Sequence, residues 1–115
     1  MTINSPQLIP GLEYPAAEGA RFVELRPQAW PDSKRIKVHV TLTCQHPALN
    51  LQAVMVNSQQ EKVSEVELIG LPGQKFVFTM HLKEQNPGGL YRLVARLYSR
   101  ENPCIDEKEI SFELH

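Results

Sequence analysis

A chain of 115 residues, of which 42% are hydrophobic and 22% charged, has the size and composition of one globular domain. Its 12 lysines and arginines stand against 13 aspartates and glutamates, which leaves a formal charge of −1. The composition argues against wholesale disorder. The charge balance argues against nucleic acid as a partner, because there is no basic excess to neutralise a phosphate backbone. The apolar runs are too short to cross a bilayer, so no membrane partner is predicted.

The first 19 residues differ in composition from the rest of the chain. Prolines and glycines recur there at Pro6, Pro10, Gly11, Pro15 and Gly19. Proline removes a backbone donor and fixes φ, so this density predicts an extended arm over 1–19 and a folded domain over 20–115. No basic cluster and apolar stretch precedes a cleavage site in this segment, which predicts a cytoplasmic protein without a secretory signal.

From Ala20 onward, short runs with a period of two alternate with turn residues. Seven such runs are predicted as strands, over 21–25, 36–44, 49–56, 63–69, 76–82, 91–98 and 107–114. The first run ends before Pro27, and the third is apolar on both faces, as in a central strand. No helix of useful length is predicted. The regular spacing of about eight to twelve residues indicates an all-β antiparallel sandwich.

The glycine-rich turn that leads into Gly89-Leu90-Tyr91-Arg92-Leu93-Val94-Ala95 resembles the end of an immunoglobulin-like or fibronectin type III-like bacterial domain. The resemblance covers roughly 20–114 and implies an immunoglobulin-like sandwich of about seven strands in two sheets. It also implies a tyrosine corner, in which the Tyr91 hydroxyl bonds back to the backbone a few residues upstream. The third run lacks a core Trp and the sixth lacks a Cys, so the chain departs from antibody-type domains.

If the sixth and seventh runs form a hairpin, one register aligns their apolar and charged residues. Leu93 then faces Phe112 and Ala95 faces Ile110 inward. On the outside, Arg96 meets Glu109 and Arg92 meets Glu113. Such cross-strand pairing of opposite charges is a usual way to stabilise a solvated sheet face.

The implied topology places the third strand beside the sixth, with an apolar stripe on the outer face of their sheet. We predict that this stripe and the charges around it bind a partner, either another protein or a second copy of the chain. The alternative is that the N-terminal arm or a short loop covers the stripe. The predicted partner-binding residues are Val54, Val56, Arg92, Val94, Arg96 and Tyr98.

The loops near Cys44, His46 and Cys104 offer an alternative function, the binding of a small ligand or a metal. In the implied topology both cysteines lie at the same pole, where Asp106 adds a carboxylate. Two unlinked thiols, a disulfide and a metal site all remain open, although the spacing lacks that of a structural zinc site. A second candidate is an outward pair of His39 and His81, predicted to be directly opposite or diagonal on neighbouring strands.

Motifs for catalysis are missing from the sequence. It contains neither G-x-S-x-G nor a phosphate-binding G-x-x-x-x-G-K-[ST] or G-x-G-x-x-G. Glu65 and Glu67 share a strand face without a visible cleft, which suits an edge strand kept soluble by charge. The sequence therefore predicts no catalytic residues, cofactor or metal ligands, and favours a non-enzymatic interaction or accessory module.

Overall fold

The computed structural model describes residues 16–32, 34–85 and 87–114 and shows an all-β chain with seven strands in two antiparallel sheets. A 3-10 helix over Ala17–Gly19 precedes them. The strands are β1 (Phe22–Ala29), β2 (Arg35–Leu42), β3 (Asn50–Val56), β4 (Lys62–Leu68), β5 (Lys75–His81), β6 (Gly89–Tyr98) and β7 (Asp106–Leu114). The predicted seven-stranded β-sandwich is confirmed. No helix in the described ranges is long and apolar enough to span a membrane.

Most of the predicted N-terminal arm, 1–15, lies outside the described residues. Its last part begins the described chain, where Ala17 is buried in the 3-10 helix and Ala20 is fully buried just after it. The Thr43 hydroxyl accepts a hydrogen bond from the Arg21 backbone N–H at 2.9 Å. These contacts fix the entry of the chain into β1.

The strand order is β1-β2-β5 in one sheet and β4-β3-β6-β7 in the other. In β2 and β3, buried residues alternate strictly with half-buried ones, as the period of two predicts. The inward side chains of both sheets form one hydrophobic core, in which Ile36, Val38, Met55 and Leu93 are fully buried. Since β3 and β6 are the inner strands of the four-stranded sheet, their outward residues form the centre of its outer face.

β1 is longer than predicted, because it continues through Pro27 to Ala29. Pro27 lies opposite Val38 of β2. Among the described strands β1 pairs with β2 alone and is an edge strand, so a residue without an N–H can face the other side at no cost to the ladder. The prediction that the strand ends at proline was therefore wrong.

The predicted register between β6 and β7 is wrong by two residues. Leu93 lies opposite Ile110, Ala95 opposite Lys108, Arg96 opposite Glu107 and Arg92 opposite Ser111. The loop between β6 and β7 sets this register. Its Ile105 N–H donates a hydrogen bond to the Leu97 carbonyl at 2.8 Å, which closes the hairpin at this pair of residues. A shift of two leaves every side chain on its predicted face, so the assignment of inner and outer residues is unaffected.

Tyr91 forms the hydrogen bond expected of a tyrosine corner. Its ring is buried, and its hydroxyl accepts from the Gly88 backbone N–H at 3.0 Å and donates to Glu84 Oε1 at 2.5 Å. Asn57 Nδ2 donates to the other oxygen of the Glu84 carboxylate at 3.2 Å. The hydroxyl thus joins the start of β6 to the chain that follows β5 and to the β3–β4 loop.

Replacing two leucines of β6 tests the assignment of inner and outer faces. Leu93 is fully buried, whereas Leu90 on the same strand is 55% exposed. We expect Leu93→Ala to lower the free energy of unfolding by about 2–5 kcal/mol, and Leu90→Ala to lower it by no more than about 0.5 kcal/mol. Urea unfolding followed by Trp30 fluorescence measures both, and similar losses in the two variants would contradict the assignment.

Tyr91→Phe tests the tyrosine corner and predicts a pH dependence. Removing the hydroxyl should cost about 1–2 kcal/mol at neutral pH. Burial, with a further contribution from the hydrogen bond to Glu84, raises the pKa of Tyr91 above its ordinary value. Above a pH of about 10 the unfolded chain releases this proton more readily than the folded one, so the wild type loses stability there. The gap between wild type and variant in urea unfolding should narrow at alkaline pH; an unchanged gap would argue against the shift.

Candidate interaction surface

The outer face of the four-stranded sheet brings together all the residues predicted to bind a partner. Each of them is half-buried: Val54 and Val56 on β3, and Arg92, Val94, Arg96 and Tyr98 on β6. They lie on the inner two strands of the sheet, where the ladder on both sides holds the backbone. The surface is therefore built on rigid elements rather than on loops.

An apolar pair occupies the centre of this face. Val54 lies directly opposite Val94 across the β3–β6 ladder. In the same row, Glu65 of β4 lies opposite Val54 and Glu109 of β7 lies opposite Val94. The two valines are therefore flanked by one carboxylate residue on each side.

Arg92 is held at one end of the face by two neighbours. Its Nη2 donates to Gln60 Oε1 at 2.7 Å, and its Nη1 lies 3.6 Å from Glu109 Oε2. Glu109 thus takes the place predicted for Glu113 as the ion-pair partner. With both side chains substantially exposed, such a pair is worth about 0–1 kcal/mol and serves chiefly to orient the guanidinium.

A chain of polar contacts crosses the face beside the valines. Arg96 Nη2 donates to Gln52 Oε1, and Gln52 Nε2 donates to Glu65 Oε2 at 3.2 Å. Lys62 Nζ donates to the other oxygen of Glu65 at 2.9 Å. These bonds, above all that from Lys62, lower the pKa of Glu65, so the carboxylate is ionised at neutral pH. The contacts link β4, β3 and β6 across the sheet.

Tyr98 ends the surface on the side away from Arg92. Its hydroxyl donates to Glu67 Oε2, and the Arg96 guanidinium carbon lies 5.5 Å from the centre of its ring. The hydrogen bond to Glu67, together with desolvation, raises the pKa of the Tyr98 hydroxyl. Tyrosine and arginine are both residue types enriched at protein interfaces.

Four residues that contribute to this surface were not assigned to it from the sequence, namely Gln52, Lys62, Glu65 and Glu67. Their parity does place Gln52 with Val54, and Glu65 with Glu67. What parity leaves open is which strand lies beside β3. The pairing of β4 with β3 brings these side chains to the surface, because the fourth strand joins the sheet of β3 and β6.

A shallow depression of about 170 Å³ extends the surface beyond Arg92. It is lined by Asn57, Ser58, Gln60, Leu90, Tyr91, Arg92 and Ser111. Sites for small molecules usually enclose about 300–1,000 Å³. The depression is therefore smaller than a usual small-molecule site.

At the pole of the predicted ligand or metal site, Cys44 is half-buried and Cys104 exposed, and both are free thiols. His46 Nδ1 accepts a hydrogen bond from the Ala48 N–H at 3.0 Å, and Asp106 Oδ2 accepts one from the Phe22 N–H at 2.8 Å. Within residues 16–32, 34–85 and 87–114, no three His, Cys, Asp or Glu side chains are grouped so as to hold a metal ion.

The predicted pairing of His39 with His81 is wrong. Both residues do lie on the outer face of the three-stranded sheet, but His39 is opposite Val77 and His81 is opposite Arg35, which separates them by four positions along the ladder. His39 Nε2 instead contacts Gln28 Oε1 at 2.8 Å. The parity of the strands was correct and the register between them was not fixed by the sequence.

No protein-family model and no curated protein matches the chain. Solved structures do. An FMN-binding β-glucuronidase from Facaelibacterium prausnitzii L2-6 aligns with a TM-score of 0.59 at 14% identity, over 82% of this chain and 16% of that one. A β-glucuronidase from Ruminococcus gnavus in complex with D-glucuronic acid gives 0.58 at 14% identity, over 84% and 16%. A glycosyl hydrolase family 2 member from Bacteroides cellulosilyticus gives 0.55 at 19%, over 82% and 14%.

At these identities the likeness concerns the fold alone. The chain spans about one sixth of the length of the glycosidases that it matches. It is therefore similar to one small sandwich portion of much larger enzymes, and the similarity by itself transfers no activity.

The contact between Tyr98 and Glu67 predicts a measurable shift in titration. The Tyr98 phenol should ionise at a higher pH than an exposed tyrosine, and Glu67→Gln should lower its pKa, because the variant removes both the carboxylate acceptor and its charge. Ring NMR signals of Tyr98 across an alkaline titration measure this. An identical Tyr98 titration in wild type and Glu67→Gln would show that the contact does not form in solution.

Proposed function

We propose that this chain is a non-enzymatic β-sandwich module that binds a protein partner through the outer face of its four-stranded sheet. The observation that carries the proposal is the row of Val54 and Val94, half-buried on the two inner strands and bounded by charged side chains. An apolar centre with a polar rim is the usual composition of a protein interface. Arg92, Arg96 and Tyr98 add residue types that often dominate binding energy.

The non-enzymatic part of the proposal has two supports. The chain corresponds to about one sixth of the glycosidases that it resembles, which suits an accessory portion better than a complete catalytic unit. The carboxylates of the surface are also engaged, Glu65 by Lys62 and Gln52, and Glu67 by Tyr98. An exposed sheet face whose carboxylates are held by neighbouring side chains lacks the dry cleft that hydrolysis of a glycosidic bond requires.

We also propose that the sandwich is of the immunoglobulin-like or fibronectin type III-like kind. Its Tyr91 hydroxyl bonds back to the backbone at Gly88, as in the tyrosine corner of those domains. The fourth strand pairs with β3 rather than joining the sheet of β1, β2 and β5, so the order differs from that of constant-type immunoglobulin domains. Many such domains act as binding modules, which supports the proposed role by analogy.

Val94→Glu tests the proposed surface, and Val77→Glu is its matched control. Val94 is at the centre of the surface, whereas Val77 is 51% exposed on the outer face of the other sheet. A carboxylate at Val94 would stand next to Glu109 and remove the apolar contact. We expect Val94→Glu to weaken partner binding by about tenfold or more, which corresponds to ~1.4 kcal/mol, and Val77→Glu to leave it unchanged.

The measurement is capture by the tagged chain from cells that express it, with sedimentation velocity to detect self-association. Trp30 fluorescence and urea unfolding verify that both variants fold. A specific protein that Val94→Glu loses and Val77→Glu retains would support the proposal. Equal capture by both variants, or a wild-type chain that stays monomeric and captures nothing specific, would overturn it.

A further inference from the structure

Carboxylates occupy both margins of the proposed surface. The edge strands β4 and β7 present them outward on either side of the central valines. They are Glu65 and Glu67 on β4, and Glu107, Glu109 and Glu113 on β7. A partner seated on Val54 and Val94 would therefore meet negative charge along both sides of its contact.

The cationic side chains of the same face are already engaged by neighbours. Lys62 binds Glu65, Arg92 binds Gln60 and approaches Glu109, and Arg96 binds Gln52. By contrast, neither Glu107 nor Glu113 forms an ion pair or a side-chain hydrogen bond with any other described residue. The five outward carboxylates of β4 and β7 outnumber the three cations of the described face, so the face keeps a negative charge, and its carboxylates without a side-chain partner lie on β7.

This arrangement disfavours pairing of two copies through the same face. In a symmetric dimer, a two-fold axis along the strands would place the β4 margin of one copy on the β7 margin of the other. An axis across the strands would place each margin on its own counterpart. Both orientations bring carboxylates against carboxylates, and like charges across an interface are unfavourable.

The opposite face of the sandwich carries the other sign. The outward residues of the three-stranded sheet include four cations and one carboxylate: Arg26, Arg35, Lys37, Lys75 and Glu24. Of these, Arg26 pairs with Glu24 at 3.6 Å and Arg35 pairs with Asp32 at 2.9 Å, which leaves Lys37 and Lys75 without an ion pair among the described residues. The difference in sign is thus a property of the proposed surface and not of the whole chain, whose formal charge is only −1.

We infer that the occupant of the proposed surface is a polypeptide segment with lysine or arginine on both sides of an apolar centre. This inference rests on the proposed function and adds the chemistry of the partner. The apolar centre lies on Val54 and Val94, and the flanking cations approach the carboxylates of β4 and β7. Because these charges are exposed, they govern specificity and salt dependence more than total affinity.

Two synthetic peptides of opposite charge test the inference. One has a valine-tyrosine-valine centre between paired lysines, and the other has glutamates in place of the lysines. In NMR titrations of the whole chain, we expect the lysine peptide to shift the methyl signals of Val54 and Val94, and the glutamate peptide to leave them in place. Raising the ionic strength to about 1 M, where the Debye length falls to ~3 Å, should weaken binding of the lysine peptide several-fold.

Neutral substitutions locate the effect. The double variant Glu107→Gln and Glu113→Gln removes two charges that have no side-chain partner among the described residues, so folding should be unaffected. We expect it to weaken binding of the lysine peptide several-fold, whereas Glu24→Gln on the opposite face should not change it. Equal binding of both peptides at the valines, no binding of the lysine peptide, or full binding by the double variant would each overturn the inference.

These outcomes are separable from those of the capture experiment. A partner lost in Val94→Glu but retained in the double glutamine variant would leave the proposed function intact and refute its charge preference. A lysine peptide that binds equally well to wild type and Val94→Glu would refute the apolar centre itself, and with it the proposed function.

Discussion

The ladder between β3 and β6 is the constraint on which the rest of the structure depends. It sets Leu51 opposite Leu97 and Met55 opposite Leu93, all fully buried, and so places the centre of the core. Because side chains alternate along a strand, the same register sets Val54 opposite Val94 on the other side of the sheet. A slip of one residue would exchange these two sets, so the burial of the core also fixes the surface.

The glutamates on the edge strands of the four-stranded sheet have two effects: they oppose pairing with other chains, and they give the outer face its negative charge. Both β4 and β7 are edge strands of the described sheet, and an edge strand invites pairing with other chains unless charge or shape prevents it. Outward glutamates on both strands provide that charge. The same glutamates lie on both sides of Val54 and Val94.

A cluster at one end of the sandwich connects the core to this surface. Glu84 accepts hydrogen bonds from the Tyr91 hydroxyl and from Asn57, whose own Oδ1 accepts from the N–H groups of Gln59 and Glu61. This shapes the β3–β4 loop, in which Gln60 adopts a positive φ of 65°. Gln60 then receives the Arg92 guanidinium. A series of hydrogen bonds thereby joins the buried Tyr91 to the β3–β4 loop, and this loop contacts Arg92 on the outer face.

The sequence by itself determined the strands, their inner and outer faces, the tyrosine corner and the six residues that the outer face brings together. The strands and their two faces follow from local alternation, which acts over a few residues, whereas the tyrosine corner and the placement of the third strand beside the sixth follow from the resemblance to immunoglobulin-like domains. The sequence did not determine the register between β6 and β7, the continuation of β1 through Pro27 or the distance between His39 and His81.

Nor did the sequence show that β4 supplies Glu65 and Glu67 to the surface. Registers and strand neighbours depend on loop hydrogen bonds, such as that from Ile105 to Leu97, and on which sheet the fourth strand joins. Period-two alternation is unchanged by a shift of two residues, so only the tertiary structure could decide them.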